Sequence, residues 1–235
     1  MPLHQHELDF LKQQNNVLFE DIFVSNPYIL NSAILKDREV VDIGANIGMF
    51  SFFALHHEAK HVVAFEPILP IYRQLQKNIE HLSAQVTPWN VTIYDGRTET
   101  LHMTEHGITS HIDNNGSILV PAWSLAQVNS FIHTDNAVLK LDCEGSEYEI
   151  LYNASAKDIR RYERLILELH ENAFDAHHTG NPLPICQIER MKEYLTFIGY
   201  KLVNECRYQG WDSYADGTTS QPKDLAAAAL HFQRI

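Results

Sequence analysis

The stretch that most limits what this chain can fold into is Val40-Val41-Asp42-Ile43-Gly44-Ala45-Asn46-Ile47-Gly48. Val40, Val41 and Ile43 form a short apolar run of the kind buried in a parallel sheet. Gly44 and Gly48 bracket a tight turn, and Met49 to Leu55 reads as the helix beyond it. Strand, glycine turn and helix together make the nucleotide-binding corner of a doubly wound α/β sheet. There glycine admits close backbone approach and the helix start offers N–H donors.

Two ligands compete for such a corner. The dinucleotide fingerprint is G-x-G-x-x-G, whereas here Ala45-Asn46 replaces the middle glycine that gives a pyrophosphate room. S-adenosylmethionine, which has no pyrophosphate, fits better. The next strand, Val62 to Phe65, ends at Glu66, 18 positions after Gly48. A carboxylate there can accept hydrogen bonds from both ribose hydroxyls. The expected cofactor contacts are therefore Asp42, Gly44, Ala45, Asn46, Gly48, Glu66 and Pro67. The competing readings are an NAD-dependent oxidoreductase on the same sheet and a non-catalytic domain that binds S-adenosylmethionine.

Along the chain, residues 5–24 carry a helical apolar pattern broken by Asn26-Pro27, so residues 1–37 read as a helical cap. It can cover the cofactor pocket or pack on the sheet edge. Pro70 suits a first helical turn, and Ile71, Leu75, Ile79 and Leu82 recur on one helical face. Val91 to Tyr94 reads as the third strand, closed by Asp95-Gly96. That placement makes Tyr94 and Asp95 candidates for the adenine, although Asp-Gly also simply makes turns. Residues 97–120 read as a hairpin insertion over the pocket mouth, pairing Thr100–Thr104 with Ile118–Val120 and offering His106, His111 or Asp113 to a substrate. Trp123 to Ile132 is the expected crossover helix and Ala137 to Leu141 the fourth strand. Ser146 and Glu149 have capping-box spacing. Arg164 to His170 is the fifth strand, and Ile188, Met191, Leu195 and Ile198 mark a helix ended by Gly199. Tyr200–Cys206 and Ala229–Ile235 read as closing strands around a polar loop, Gly210–Pro222, with residues 207–224 unlike anything assigned. No linker divides the chain, so residues 1–235 are expected to form one domain.

Three segments carry a more particular signal: Val41 to Gly48, Ala64-Phe65-Glu66-Pro67, and Leu139-Lys140-Leu141-Asp142-Cys143-Glu144-Gly145-Ser146-Glu147-Tyr148-Glu149-Ile150-Leu151. Together they resemble the FkbM-type family of S-adenosylmethionine-dependent methyltransferases, the last segment being close to its K-I-D-x-E-G-x-E-x-x-x-L signature, with Leu141 at the Ile position. The likeness runs from about residue 38 to the C-terminal strand. It departs at Ser124-Leu125-Ala126-Gln127, where the family usually has Leu-Asp. The resemblance implies a class I methyltransferase sandwich. Its seven-stranded sheet would be ordered 3-2-1-4-5-7-6, with only strand 7 antiparallel and helices on both faces. It also implies O-methylation of hydroxyls on sugars or secondary metabolites.

Methyl transfer to a hydroxyl calls for a group that accepts the proton. If the fourth strand stays regular, alternation puts Asp142 and Glu144 on one side, and Glu168 and His170 pair likewise at the end of the fifth. With strands about 4.8 Å apart, these four groups can converge at the carboxyl edge, where such folds bind ligands. Asp142 is placed for the methionine part of the cofactor or the acceptor hydroxyl. Glu144 acts there or caps the Gly145-Ser146 turn. His170 is the general-base candidate, because histidine titrates near neutrality. Asp142, Glu168 and His170 also suit a divalent metal, but such clusters are commonly hydrogen-bonded networks, and none is expected.

Composition narrows the partners. The net charge of −12, from 30 acidic and 18 basic residues, repels a phosphate backbone, so the expected acceptor is a small molecule or glycan rather than nucleic acid. No apolar run reaches the roughly 20 residues of a membrane span, and no basic-then-apolar leader opens the chain. Cys143, Cys186 and Cys206 lack C-x-x-C spacing and read as reduced, mostly buried thiols, which suits the cytoplasm. The 14 histidines show no metal-motif spacing.

Overall fold

The computed structural model describes residues 2–82, 84–104, 111–112, 116–170, 188–209 and 226–235. The N-terminal helices are α1 (Gln5–Gln14), α2 (Asn16–Phe19), a π-helical segment (Glu20–Ser25) and α3 (Ser32–Leu35). Then come β1 (Glu39–Ile43), α4 (Met49–His56), β2 (His61–Phe65), α5 (Leu69–Asn78) and β3 (Val86–Trp89). The middle of the chain forms β4 (Thr92–Tyr94), β5 (Thr100–Thr104), β6 (His111–Ile112), β7 (Ile118–Ser124) and α6 (Leu125–Val128). The C-terminal part adds β8 (Ala137–Leu141), α7 (Glu147–Asn153), α8 (Ala156–Ile159), β9 (Tyr162–His170), α9 (Ile188–Phe197), β10 (Tyr200–Gln209) and β11 (Ala226–Arg234).

The main sheet has seven strands in the order β10-β11-β9-β8-β1-β2-β3. Every pairing from β9 to β3 is parallel, and β11 runs antiparallel to both neighbours. This is the class I methyltransferase order. Strand alternation sorts the core into two layers. Val41, Ile43, Val63, Phe65, Leu139, Leu141, Leu165 and Leu167 share one core cluster with residues of α6, α7 and α9. Val40, Val62, Ala64, Val138 and Ile166 face α4, α5 and the N-terminal helices. In β8, burial of Val138, Leu139 and Leu141, worth about 1.5–3 kcal/mol each, offsets the cost of enclosing Lys140 in the same strand.

Several expectations are corrected. The third strand of the sheet is β3, not Val91–Tyr94. Pro88 makes Val86–Trp89 look like a breaker in sequence, but β3 is the sheet edge, where a missing N–H costs no ladder bond. Thr92–Tyr94 joins a second sheet, β4-β7-β5-β6, in which β5 pairs antiparallel with β7. The expected hairpin pairing is thus present, but β7 continues to Ser124, so Trp123 is strand and α6 is only one turn. The N-terminal helix breaks at Asn15, whose extended backbone ends α1 and whose side chain caps α2. Ser146 makes no side-chain cap, so the Ser146–Glu149 box does not form. Cys206 is exposed on the outermost strand, while Cys143 is half-buried. His106, Gly107, Asp113, His177, His178, Cys186 and Gly210–Pro222 lie outside the described residues, as does the side chain of His111.

Candidate functional site

A crevice opens at the carboxyl ends of β1, β2 and β8, enclosing about 960 Å³ including the part open to solvent. That is room for a nucleoside-sized ligand. Gly44, Ala45 and Asn46 from the glycine turn and Glu66 and Pro67 after β2 line it. Ile68, Ile71, Val91, Ile93 and Met103 form an apolar wall, and Asp142 and Glu144 stand after β8. Leu18 and Ile22 close over it, so the N-terminal cap covers the pocket.

The turn is closed by its own hydrogen bonds. Gly44 and Ala45 donate their N–H groups to the Phe65 carbonyl at 3.0 and 2.9 Å. Gly44 has φ +75°, and a Cβ there would lie 1.7 Å from the Asp142 carbonyl oxygen. Glycine is therefore needed so that the exits of β1 and β8 can touch.

Glu66 is 5% exposed. Its two oxygens accept one backbone N–H each, from Asn46 at 3.0 Å and Ile68 at 2.8 Å. Asn90 braces the same corner by donating to the carbonyls of Glu66 and Pro67. Burial pushes the Glu66 carboxyl up to about 7. Each oxygen keeps acceptor capacity, so two ribose hydroxyls would satisfy it. With the apolar wall alongside for a purine, the residues present fit S-adenosylmethionine.

Lys140 joins this corner to the far end of the crevice. Its Nζ donates to the Gly44 carbonyl at 3.0 Å and pairs with Asp42 at 3.4 Å and Asp142 at 3.3 Å. Burial pulls its pKa down, but Asp142 and Asp42 outweigh burial and hold it charged. Asp42 is wholly buried and accepts from Ser51 Oγ at 2.7 Å. It acts through Lys140 and Ser51 and does not line the crevice.

At the far end, β8 stops at Leu141 and Glu144 turns left-handed, at φ +54°. Asp142 and Glu144 therefore reach the crevice through a turn, not by strand alternation. The turn is held by Glu147, whose oxygens accept from the N–H groups of Cys143 at 2.8 Å and Gly145 at 2.9 Å. Glu147, not Glu144, is the capping group, which leaves Glu144 facing His170 Nε2 at 3.8 Å. Glu168 and His170 do pair, at 3.7 Å, and Tyr28 of the cap donates to Glu168 at 2.9 Å. Burial pulls the His170 pKa down, yet Glu147 and Glu144 win and raise it well above the usual value. Two carboxylates, Glu147 on Nδ1 at 3.2 Å and Glu144 facing Nε2 at 3.8 Å, thus set the environment of the ring at the end of β9.

Tyr94 and Asp95 do not line the crevice; Val91, Thr92 and Ile93 do. Asp95 instead caps the N–H groups of Arg97 and Thr98, both at 2.9 Å. Gly48, with φ +97°, starts α4 against Leu75 and also stands off the wall. The residues not anticipated are Lys140, Glu147, Asn90 and Tyr28. A lysine inside the apolar run Ala137–Leu141 was the readable signal for the first, since a charge in a central strand must have a partner. The other three act through contacts made by folding.

The methyltransferase FkbM domain description matches residues 42–209. The chain belongs to the FkbM methyltransferase family. That membership makes it an S-adenosylmethionine-dependent methyltransferase domain and favours methyl transfer over the oxidoreductase reading. The AMB antimetabolite synthetase AmbE of Pseudomonas aeruginosa is 33% identical over 111 residues, covering 44% of this chain and 5% of that protein. The chain thus spans about a twentieth of that curated relative. Among solved structures, a Pyrococcus horikoshii protein named provisionally as an RNA methyltransferase aligns with a TM-score of 0.50 at 10% identity, over 94% of this chain and 84% of its own. TYW2 of M. jannaschii, solved with AdoMet, aligns with a TM-score of 0.43 at 19% identity, over 87% and 73%. The first likeness is one of fold alone. No helix among the described residues of this FkbM domain is long and apolar enough to cross a membrane.

Proposed function

We propose that the domain methylates a hydroxyl of a small metabolite, a sugar or a glycan. The observation that carries the proposal is Asp142, which stands on the crevice wall and also borders Glu144, Glu168 and His170. S-adenosylmethionine supplies a methyl carbon already activated by a sulfonium, so alignment and proton removal are what remain for the protein. Glu66 would hold the ribose hydroxyls, and the backbone of Gly44 to Asn46 would bound the sugar and methionine part. Lys140 pairs with Asp142 at 3.3 Å on the crevice wall. Asp142 accepts the acceptor's proton. Leu18 and Ile22 of the cap exclude water. The net charge of −12 supports a small or neutral acceptor over a phosphate backbone.

Incubation with labelled S-adenosylmethionine and a panel of hydroxylated acceptors, followed by mass spectrometry, tests this. The expected product is a methyl ether. Methyl found on nitrogen, turnover on RNA alone, or tight NAD binding with no response to S-adenosylmethionine would overturn it.

A further inference from the structure

Asp142, Glu168 and His170 each offer a ligand atom, and these atoms all lie within 4.8 Å of one another. Each side chain is also held from outside the group by one of its polar atoms. Lys140 meets Asp142 at Oδ2, 3.3 Å away. Tyr28 donates to Glu168 Oε2 at 2.9 Å. Glu147, fully buried and itself fixed by two backbone N–H groups, takes His170 Nδ1 at 3.2 Å. Nε2 of His170 has Glu168 Oε1 at 3.7 Å and Glu144 Oε2 at 3.8 Å. Those separations are too long for hydrogen bonds. They suit ligands about 2.0–2.2 Å from a shared ion.

From this arrangement we infer that Asp142, Glu168 and His170 bind a divalent cation at the edge of the crevice, with Glu144 beside it as a further oxygen donor. One ring nitrogen of His170 is secured by Glu147, while the other stands 3.7 and 3.8 Å from Glu168 and Glu144. An outer carboxylate on the far ring nitrogen and hydrogen bonds on the far carboxylate oxygens are the usual supports of metal ligands. Oxygen donors with a single imidazole favour manganese or magnesium over copper, and zinc remains a competitor. Resting on the hydroxyl-acceptor reading above, the ion would acidify the acceptor hydroxyl that Asp142 deprotonates.

The test is Mn²⁺ titration of the full chain, followed by calorimetry and by electron paramagnetic resonance, with Mg²⁺ and Zn²⁺ as competitors. One equivalent should bind, and Glu168→Gln and His170→Ala should each weaken it at least tenfold while S-adenosylmethionine binding and the circular dichroism spectrum are kept. Tyr28→Phe, which removes only an outer support, should weaken it less. No stoichiometric Mn²⁺ or Zn²⁺ binding, or binding that both ligand variants leave unchanged, overturns the site. Should either ligand variant misfold, Mn²⁺ broadening of the His170 ring resonances in the unaltered protein decides instead, and undisturbed resonances refute the site. Because the readout is metal binding, it stands or falls apart from the methylation assay. Metal bound without hydroxyl methylation refutes only the proposed acceptor chemistry.

Discussion

Both ends of the crevice are built around carboxylates, yet they hold them by opposite means. At the ribose end Glu66 is fixed by backbone N–H groups 20 and 2 positions away. At the strand-edge end Asp142, Glu168 and Glu144 face cationic or phenolic side chains, the Tyr28–Glu168 bond spanning 140 positions. Backbone donors are indifferent to the residue that carries them, so the ribose corner tolerates drift in its neighbours. Side-chain partners work only as a set, so the other end is where substitutions change chemistry. Lys140 is common to both.

The largest effect should therefore come from Lys140→Met. Removing it leaves Asp42 and Asp142 uncompensated and frees the Gly44 carbonyl. Breaking one side of a buried ion pair costs about 3–5 kcal/mol, or a melting temperature lower by about 10 °C for a domain of this size. Thermal unfolding and calorimetry with S-adenosylmethionine should both register the loss. If melting and affinity are unchanged, the two ends are independent.

Asp142→Asn should separate the ends. The crevice wall keeps its shape, so cofactor affinity should stay within about threefold, while kcat falls on the order of 100-fold, the usual scale for a lost general base. Equal losses in affinity and kcat would instead make Asp142 a cofactor ligand.

These differences also explain what was legible beforehand. The β1 turn and the position of Glu66 after β2 are legible because they depend on residues close in sequence, whereas the strand order follows from the family resemblance and not from any local pattern. The third strand was misplaced because Pro88 is a breaker everywhere except at an edge, and edge position is a tertiary fact. Asp142, Glu144, Glu168 and His170 were correctly gathered, but on the premise of a straight strand; the left-handed Glu144 gathers them by a different route. The contact of His170 with Glu147, 23 positions away, is made only by folding and has no signal in the sequence.

A smaller effect is expected from pH at the ribose end. The folded carboxyl of Glu66 sits at about 7 against 4.5 for the free side chain, because it is buried. Its contribution to stability is therefore full below 4.5 and declines as pH rises through about 7. Cofactor affinity should run the other way, because ribose hydroxyls donate to the ionised form. Between about pH 6 and pH 8 the ionised fraction changes about tenfold, and the dissociation constant for S-adenosylmethionine should tighten by a similar factor. Glu66→Gln should bind more weakly and show a flat profile over that range. A profile that keeps its slope in this variant places the titrating group elsewhere, with Glu144 the first candidate.

The smallest effect belongs to Asp95→Ala, which marks where the ribose corner stops. Its carboxylate serves the turn after β4, and although burial raises its pKa, hydrogen bonds from Arg97 and Thr98 outweigh that and lower it. A depressed carboxyl adds stability above its unfolded value and loses it as pH falls through the folded one, so the unaltered domain should lose this small contribution in acid. Substitution should cost about 0.5–1.5 kcal/mol at neutral pH and leave cofactor affinity within about twofold. The apolar wall from Val91, Ile93 and Met103 already bounds the crevice on that side, which leaves a purine no need of Asp95. A clear fall in affinity, measured by calorimetry, would show instead that the loop after β4 closes onto the purine. The second sheet would then belong to the ribose corner, and the division between backbone-held and side-chain-held ends would have to be redrawn there.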